Sequence, residues 1–183
     1  MVVIPELGPD GMLPPGRYRV TREQLRARFV DGRGPTRAEL WRDWEAATNL
    51  LARHVHVNAA WVHGPFLSQD TDPPAVHCVY WAEDLELDKA HLDVAAAKLL
   101  RAFSRPGYVR RRLGMKVDTQ IAAWHCQPDP RNTDDYYAQY CTRRGEVDDL
   151  LQRLALGSAG AALARADAWP RRGYVEVIID DYT

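Results

Sequence analysis

The sequence predicts an α/β chain (α+β mixed), with one mixed sheet flanked by helices. Short β-branched and aromatic stretches alternate with longer stretches whose apolar residues recur at helical spacing. The segment from Trp61 to Trp81 reads as strand, glycine turn, polar loop and second strand. At 183 residues, 46% hydrophobic and 27% charged, the chain is long enough to bury one full core.

Taken in order, the first 16 residues hold Pro5, Gly8, Pro9, Gly11, Pro14, Pro15 and Gly16, which favour a turn-rich arm, and residues 1–20 are expected to be extended. Thr21-Arg-Glu-Gln24 is a capping box opening a short helix with Leu25, Phe29 and Val30 on its apolar side. Gly32 and Gly34 break that helix. Thr36-Arg-Ala-Glu39 reads as a second capping box, and Leu40, Trp44, Ala47, Leu50 and Leu51 carry an amphipathic helix to about His54. Val55–Val62 is expected as a strand, Gly64 as its turn and Ser68–Pro74 as a loop, since proline cannot feed a sheet ladder. Val76–Trp81 is the next strand, Leu92–Phe103 an Ala- and Leu-rich helix closed by Arg105-Pro106-Gly107, and Met115–Trp124 a third strand. Thr133–Tyr140, Glu146–Leu156 and Ala159–Ala166 read as helices, the last two parted by Gly157 and Gly160, and Tyr174–Ile179 as a closing strand. The whole is read as one domain, 1–183, with a helical insertion at 141–170.

Composition narrows the function classes. A net charge of −1 gives no overall attraction to nucleic acid or an anionic membrane. No apolar run approaches the roughly 20 residues that span a bilayer, and the opening lacks a secretory basic region, so a cytoplasmic setting without a membrane partner is expected. Cys78, Cys126 and Cys141 are widely spaced and suggest neither a disulfide framework nor a zinc site. Ser68, Ser104 and Ser158 lack a nucleophile-elbow context, and there is no P-loop or dinucleotide fingerprint.

Ile4-Pro-Glu-Leu, Gly11-Met-Leu-Pro-Pro-Gly16, Thr21–Phe29, Trp61-Val-His-Gly-Pro-Phe66 with Asp72-Pro73, and Arg172-Gly-Tyr-Val-Glu-Val177 together resemble an uncharacterised family of short prokaryotic and phage proteins related to the nucleotidyltransferase superfamily. Family members tend to read Gly-Ser-Phe, a loop, then Asp-Pro and an Asp-Ile-Asp triplet. The resemblance implies a sheet whose first two strands carry two carboxylates one residue apart, a third carboxylate on a neighbouring strand, and magnesium ions held between them. Here Gly64 matches, but the serine position is Pro65, without amide hydrogen or hydroxyl, and the paired carboxylate positions are Ala75 and His77. Asp118 falls at the third position. Alanine cannot bind a cation and magnesium prefers oxygen to imidazole, so the resemblance implies a degenerate site rather than a working transferase.

Asp70 and Asp72 are substitute carboxylates for an active enzyme, or turn-forming residues before Pro73-Pro74. His77 and Asp118 offer a softer metal site, helped by His63 or Cys78, although Cys78 should face the opposite side of the sheet; a hydrogen-bonded structural histidine is the alternative. Arg110, Arg111 and Arg112, with Lys116, form the local basic concentration and a candidate phosphate contact, or else a solvated charged face. The six tryptophans are read as core. The expected function is binding of a nucleotide, RNA or a protein partner by a degenerate nucleotidyltransferase-like protein, without cofactor, in a toxin–antitoxin or phage-conflict setting by analogy. An active transferase needing magnesium, and a scaffold for a homo-oligomer, are the alternatives.

Overall fold

The computed structural model describes residues 4–129, 131–154 and 161–180. A five-stranded mixed sheet has the order β1-β5-β2-β3-β4, built from β1 (Gly16–Val20), β2 (Val57–His63), β3 (Val76–Glu83), β4 (Val117–Trp124) and β5 (Gly173–Ile178). β1 runs parallel to β5 and β3 parallel to β4, whereas β2 is antiparallel to both of its neighbours. The described helices are α1 (Arg22–Phe29), α2 (Pro35–Ala52), α3 (Asp84–Leu92), α4 (Val94–Phe103), α5 (Tyr108–Leu113) and α6 (Asp135–Gln152).

The period-two pattern assigns the two sheet faces. One face carries Val20, Val175, Val177, Ala60, Val62, Cys78, Tyr80 and Val117, all buried. α2 covers it with Leu40, Trp44, Ala47 and Leu51, each at most 1% exposed. Thr48 and Tyr80 pair their hydroxyls at 2.8 Å, and the Thr119 hydroxyl donates to the Phe103 carbonyl at the end of α4 (2.7 Å), so the buried hydroxyls of this layer are satisfied. The opposite face carries Arg17, Arg19, Tyr174, Glu176, Trp61, His63, His77, Trp81, Asp118 and Trp124. α6 crosses this second face: Tyr140 meets Trp81 edge-on at 6.1 Å, and Asp148 accepts from the Tyr174 hydroxyl at 2.5 Å.

Several expectations are corrected here. Residues 16–20 are not part of a free arm but an edge strand, because Tyr18 and Val20 alternate with Arg17 and Arg19 and turn toward the core. The Thr21 capping box forms with both of its bonds, but α2 begins at Pro35 after Gly34, with no side-chain cap, so Thr36 lies inside the helix. α3 and α5 occupy segments to which the sequence assigns no element. Residues 135–152 form one helix running through Gly145. Its Val147 and Leu151 are 2% and 3% exposed, so this part of the helix packs on the core through one side. The expected helix Ala159–Ala166 begins outside the described residues; from 161 it is irregular, with a 3-10 turn at Arg165–Ala168.

Candidate functional site

β2 ends at His63, and the chain turns on Gly64 into a 3-10 turn. Gly64 has φ +80°, a left-handed backbone that favours glycine, and it lies against the His77 ring, 3.4 Å from where a Cβ would stand. Pro65 turns its carbonyl inward to accept from the Ser68 amide (3.1 Å) and hydroxyl (2.7 Å). The Ser68 hydroxyl is thereby committed to the loop. Register then lines up three polar side chains: His63 lies opposite His77, and His77 opposite Asp118. The two imidazoles are 5.5 Å apart between ring centroids.

α5 faces this row across a cavity of about 340 Å³ lined by His63, His77, Gly107, Arg110, Arg111 and Asp118. Gly107, at φ +66°, lets Arg111 fold back, since a Cβ would lie 2.7 Å from its guanidinium and 3.7 Å from Asp118 Oδ1. Arg110 Nη1 stands 3.8 Å from Asp118 Oδ2, while Asp118 Oδ1 and His63 Nδ1 are buried without a hydrogen-bond partner among the described residues. Burial pushes the His63 pKa down to about 3, and His77 and Arg172 act in the same direction. His77 is also lowered, mainly by burial, with Asp118 opposing and Arg172 and Arg110 adding to the shift. Both rings are neutral near pH 7.

The other candidates separate. Ala75 is fully buried just before β3. Arg112 leaves the cavity to sit 5.9 Å over the Tyr108 ring. Lys116 is drawn toward α2, its amide donating to Asp43 (2.8 Å) and its ammonium to Glu39 (3.1 Å), so it is not a site residue. Asp70 and Asp72 are exposed loop builders: the Asp72 amide donates to Asp70 Oδ1 at 2.9 Å, and Asp70 borders a separate hollow with Gly64 and Leu13. Neither joins Asp118. Cys78 faces Trp44 on the other side of the sheet with its thiol pushed up to about 12 by burial, which removes it as ligand or nucleophile. Among the described residues no three His, Cys, Asp or Glu are grouped to hold a metal ion. One carboxylate, two neutral imidazoles and an adjacent guanidinium do not fit magnesium, which needs a near-octahedral oxygen shell.

Two features escaped the sequence. Arg37, 2% exposed, donates to the carbonyls of Phe29, Phe66, Ser68 and Asp70 and so ties α2 to the loop after Gly64. Trp44, Trp61 and Trp81 are core as expected, but Trp61, Trp81 and Trp124 also line a cavity of about 480 Å³ together with Arg17, Arg19 and Arg144. The alternation Arg17-Tyr18-Arg19 was the available signal for a strand presenting two guanidinium groups to one face.

Residues 5–153 match the family of unknown function DUF6932, and the chain belongs to that family. The match runs from before β1 through α6 and stops short of β5. No curated protein matches the chain, and no solved structure does.

Proposed function

We propose that this protein is a catalytically degenerate nucleotidyltransferase-like protein that acts by binding, and that its site accepts a phosphate group of a nucleotide or RNA directly, without a metal ion. The strand–turn–strand at Gly64, with His77 and Asp118 in register, supports the nucleotidyltransferase-like ancestry. One observation carries the change of chemistry. Beside the single remaining carboxylate stands the Arg110 guanidinium, 3.8 Å from Asp118, rather than further carboxylates. Carboxylates gather cations that then hold phosphate; guanidinium groups hold phosphate themselves, with planar donor pairs. Arg110 and Arg111 line the cavity, and Arg172 acts electrostatically on both histidines.

The test is calorimetric titration with nucleoside mono- and triphosphates in EDTA and in magnesium, beside an assay for transfer of labelled nucleotide. The expected result is binding that is indifferent to EDTA and weakened by Arg110→Glu, with no transfer. Metal-dependent transfer that disappears in Asp118→Ala would overturn this reading.

A further inference from the structure

The cavity of about 480 Å³ lies on the same sheet face as the His63–His77–Asp118 row, at the other end of the strands. Four residues separate His63 from Ala59 on β2, which at the usual rise is about 13 Å. The cavity has a floor, walls and an electrostatic sign, and the nucleotidyltransferase-like reading uses none of them.

Trp61 is the floor, 1% exposed, with Arg17 5.5 Å and Arg144 5.6 Å from its ring centroid. Trp81 and Tyr140 form one wall, and the half-buried Trp124 another. The charges do not cancel. Three guanidinium groups, Arg17, Arg19 and Arg144, stand against two carboxylates, Glu176 and Asp180; Glu176 accepts from Trp61 Nε1 at 3.0 Å and stands 3.9 Å from Arg17. Arg19 and Arg144 are left with no carboxylate partner among the described residues; Arg144 donates only to the Tyr140 hydroxyl and sits over aromatic rings. Trp81 Nε1 and Asn58 Oδ1 are buried without hydrogen-bond partners among the described residues, one a donor and the other an acceptor. Buried groups of this kind cost stability unless something satisfies them.

We infer that this groove binds a nucleobase carrying a phosphate, the base stacking on Trp124 and the phosphate pairing with Arg19 and Arg144. A flat ring matches the aromatic walls, and an anion matches the excess of guanidinium groups over carboxylates, with Arg19 and Arg144 the two that no carboxylate approaches among the described residues. The size is that of a small-molecule site. A free nucleotide and a single-stranded nucleic acid share this chemistry. The inference goes beyond the phosphate site at Arg110 and does not depend on it.

Tryptophan fluorescence quenching by the four mononucleotides, by inorganic phosphate, and by eight-nucleotide RNA and DNA tests it. Saturable quenching by the mononucleotides identifies a nucleotide site, and quenching by the oligomers alone identifies a nucleic-acid site. Trp124→Ala is expected to weaken binding about tenfold, the usual scale of one base–aromatic stack. Trp124→Phe should retain most of it, and Arg19→Glu should weaken it and reduce its salt dependence. Quenching by none of these ligands, or by inorganic phosphate as well as by nucleotides, overturns the inference, as does a Trp124→Phe variant as weak as Trp124→Ala. Binding lost in Arg110→Glu but intact in Trp124→Ala and Arg19→Glu sinks the groove and leaves the phosphate site standing; the reverse pattern sinks the phosphate site alone.

Discussion

Arg37→Met removes a buried cation whose hydrogen bonds are all to backbone carbonyls. The guanidinium reaches Phe29 O (2.9 Å) and Phe66 O (2.8 Å) through one nitrogen, Ser68 O (2.8 Å) through another, and Asp70 O as well, with the Phe66 ring 5.5 Å away. The bonds to Phe29 and Phe66 are buried, and those to Ser68 and Asp70 are partly exposed. Water can replace the outer pair in the variant but not the inner pair. Two stranded acceptors cost about 1–3 kcal/mol each, and loss of the charge-assisted bonds to the outer carbonyls adds about 1 kcal/mol, partly offset by no longer desolvating a cation. The expected loss is about 3–5 kcal/mol, or roughly 6–20 °C in Tm for a domain of this size.

Urea unfolding at pH 7 measures the change, and hydrogen exchange localises it to the Ser68, Gln69 and Asp72 amides, which hold the loop after Gly64. Arg37→Lys should recover only part of the stability, because an ammonium donates from one point and cannot span carbonyls arranged around a planar fork. An Arg37→Met variant within about 1 kcal/mol of the parent would refute the reasoning, since it would mean that the carbonyls find other partners at little cost.

The remaining predictions concern charge. His63 is held neutral with its pKa near 3, whereas the unfolded chain protonates it near 6.5, so the unfolded state binds more protons between those values. Stability should therefore fall as pH drops below about 6.5, by about 2–3 kcal/mol at pH 4.5, and His63→Gln should flatten that part of the urea-midpoint profile. His125 has the opposite sign: the Asp84 hydrogen bond at 2.6 Å raises its pKa, with Asp134 adding to it. Its contribution is fully present below the unfolded value and is lost as pH rises through the folded one, so His125→Gln should destabilise more at pH 5.5 than at pH 8.5. His77→Asp places a second carboxylate in register with Asp118. Its Tm in EDTA should fall and recover with manganese, while the parent responds to neither; a variant indifferent to manganese would show that the two positions do not form a cation clamp.

Legibility in the sequence followed the strength of the local pattern. β2 and β3 were readable because their apolar and aromatic residues are buried in near-continuous runs, β4 because its residues alternate, and α1 because Thr21 and Gln24 satisfy each other's backbone. β1 was hidden behind Pro14-Pro15 and had only Tyr18 and Val20 to mark it. α3 leaves Leu85 and Leu92 61% and 88% exposed, so no apolar stripe announced it. At the candidate site, His77 and Asp118 lie side by side because strand pairing sets their spacing. Lys116 and Arg112 do not join them, because side-chain direction on a short helix and at a strand entrance depends on neighbours distant in sequence. Arg37 could not be found at all: nothing local distinguishes a buried arginine from the surface arginines beside it.

Strand parity ties the two candidate sites together. His63, Trp61 and Ala59 alternate onto one face of β2, and pairing carries the same parity to His77, Val79 and Trp81, to Asp118 and Trp124, and to Glu176 and Arg19. Slipping any of these strands by one residue would send its share of both sites into the apolar layer under α2. The register that buries Val62, Cys78 and Val177 is thus the register that aims the polar residues outward. Both ends of that face present more guanidinium groups than carboxylates, Arg110 and Arg111 around Asp118, and Arg17, Arg19 and Arg144 beside Glu176 and Asp180. Paired carboxylates at this position would repel phosphate unless cations bridged the two. With Ala75 before β3 and a His77 that is neutral at pH 7 beside Asp118, the proposed phosphate site needs no such bridge.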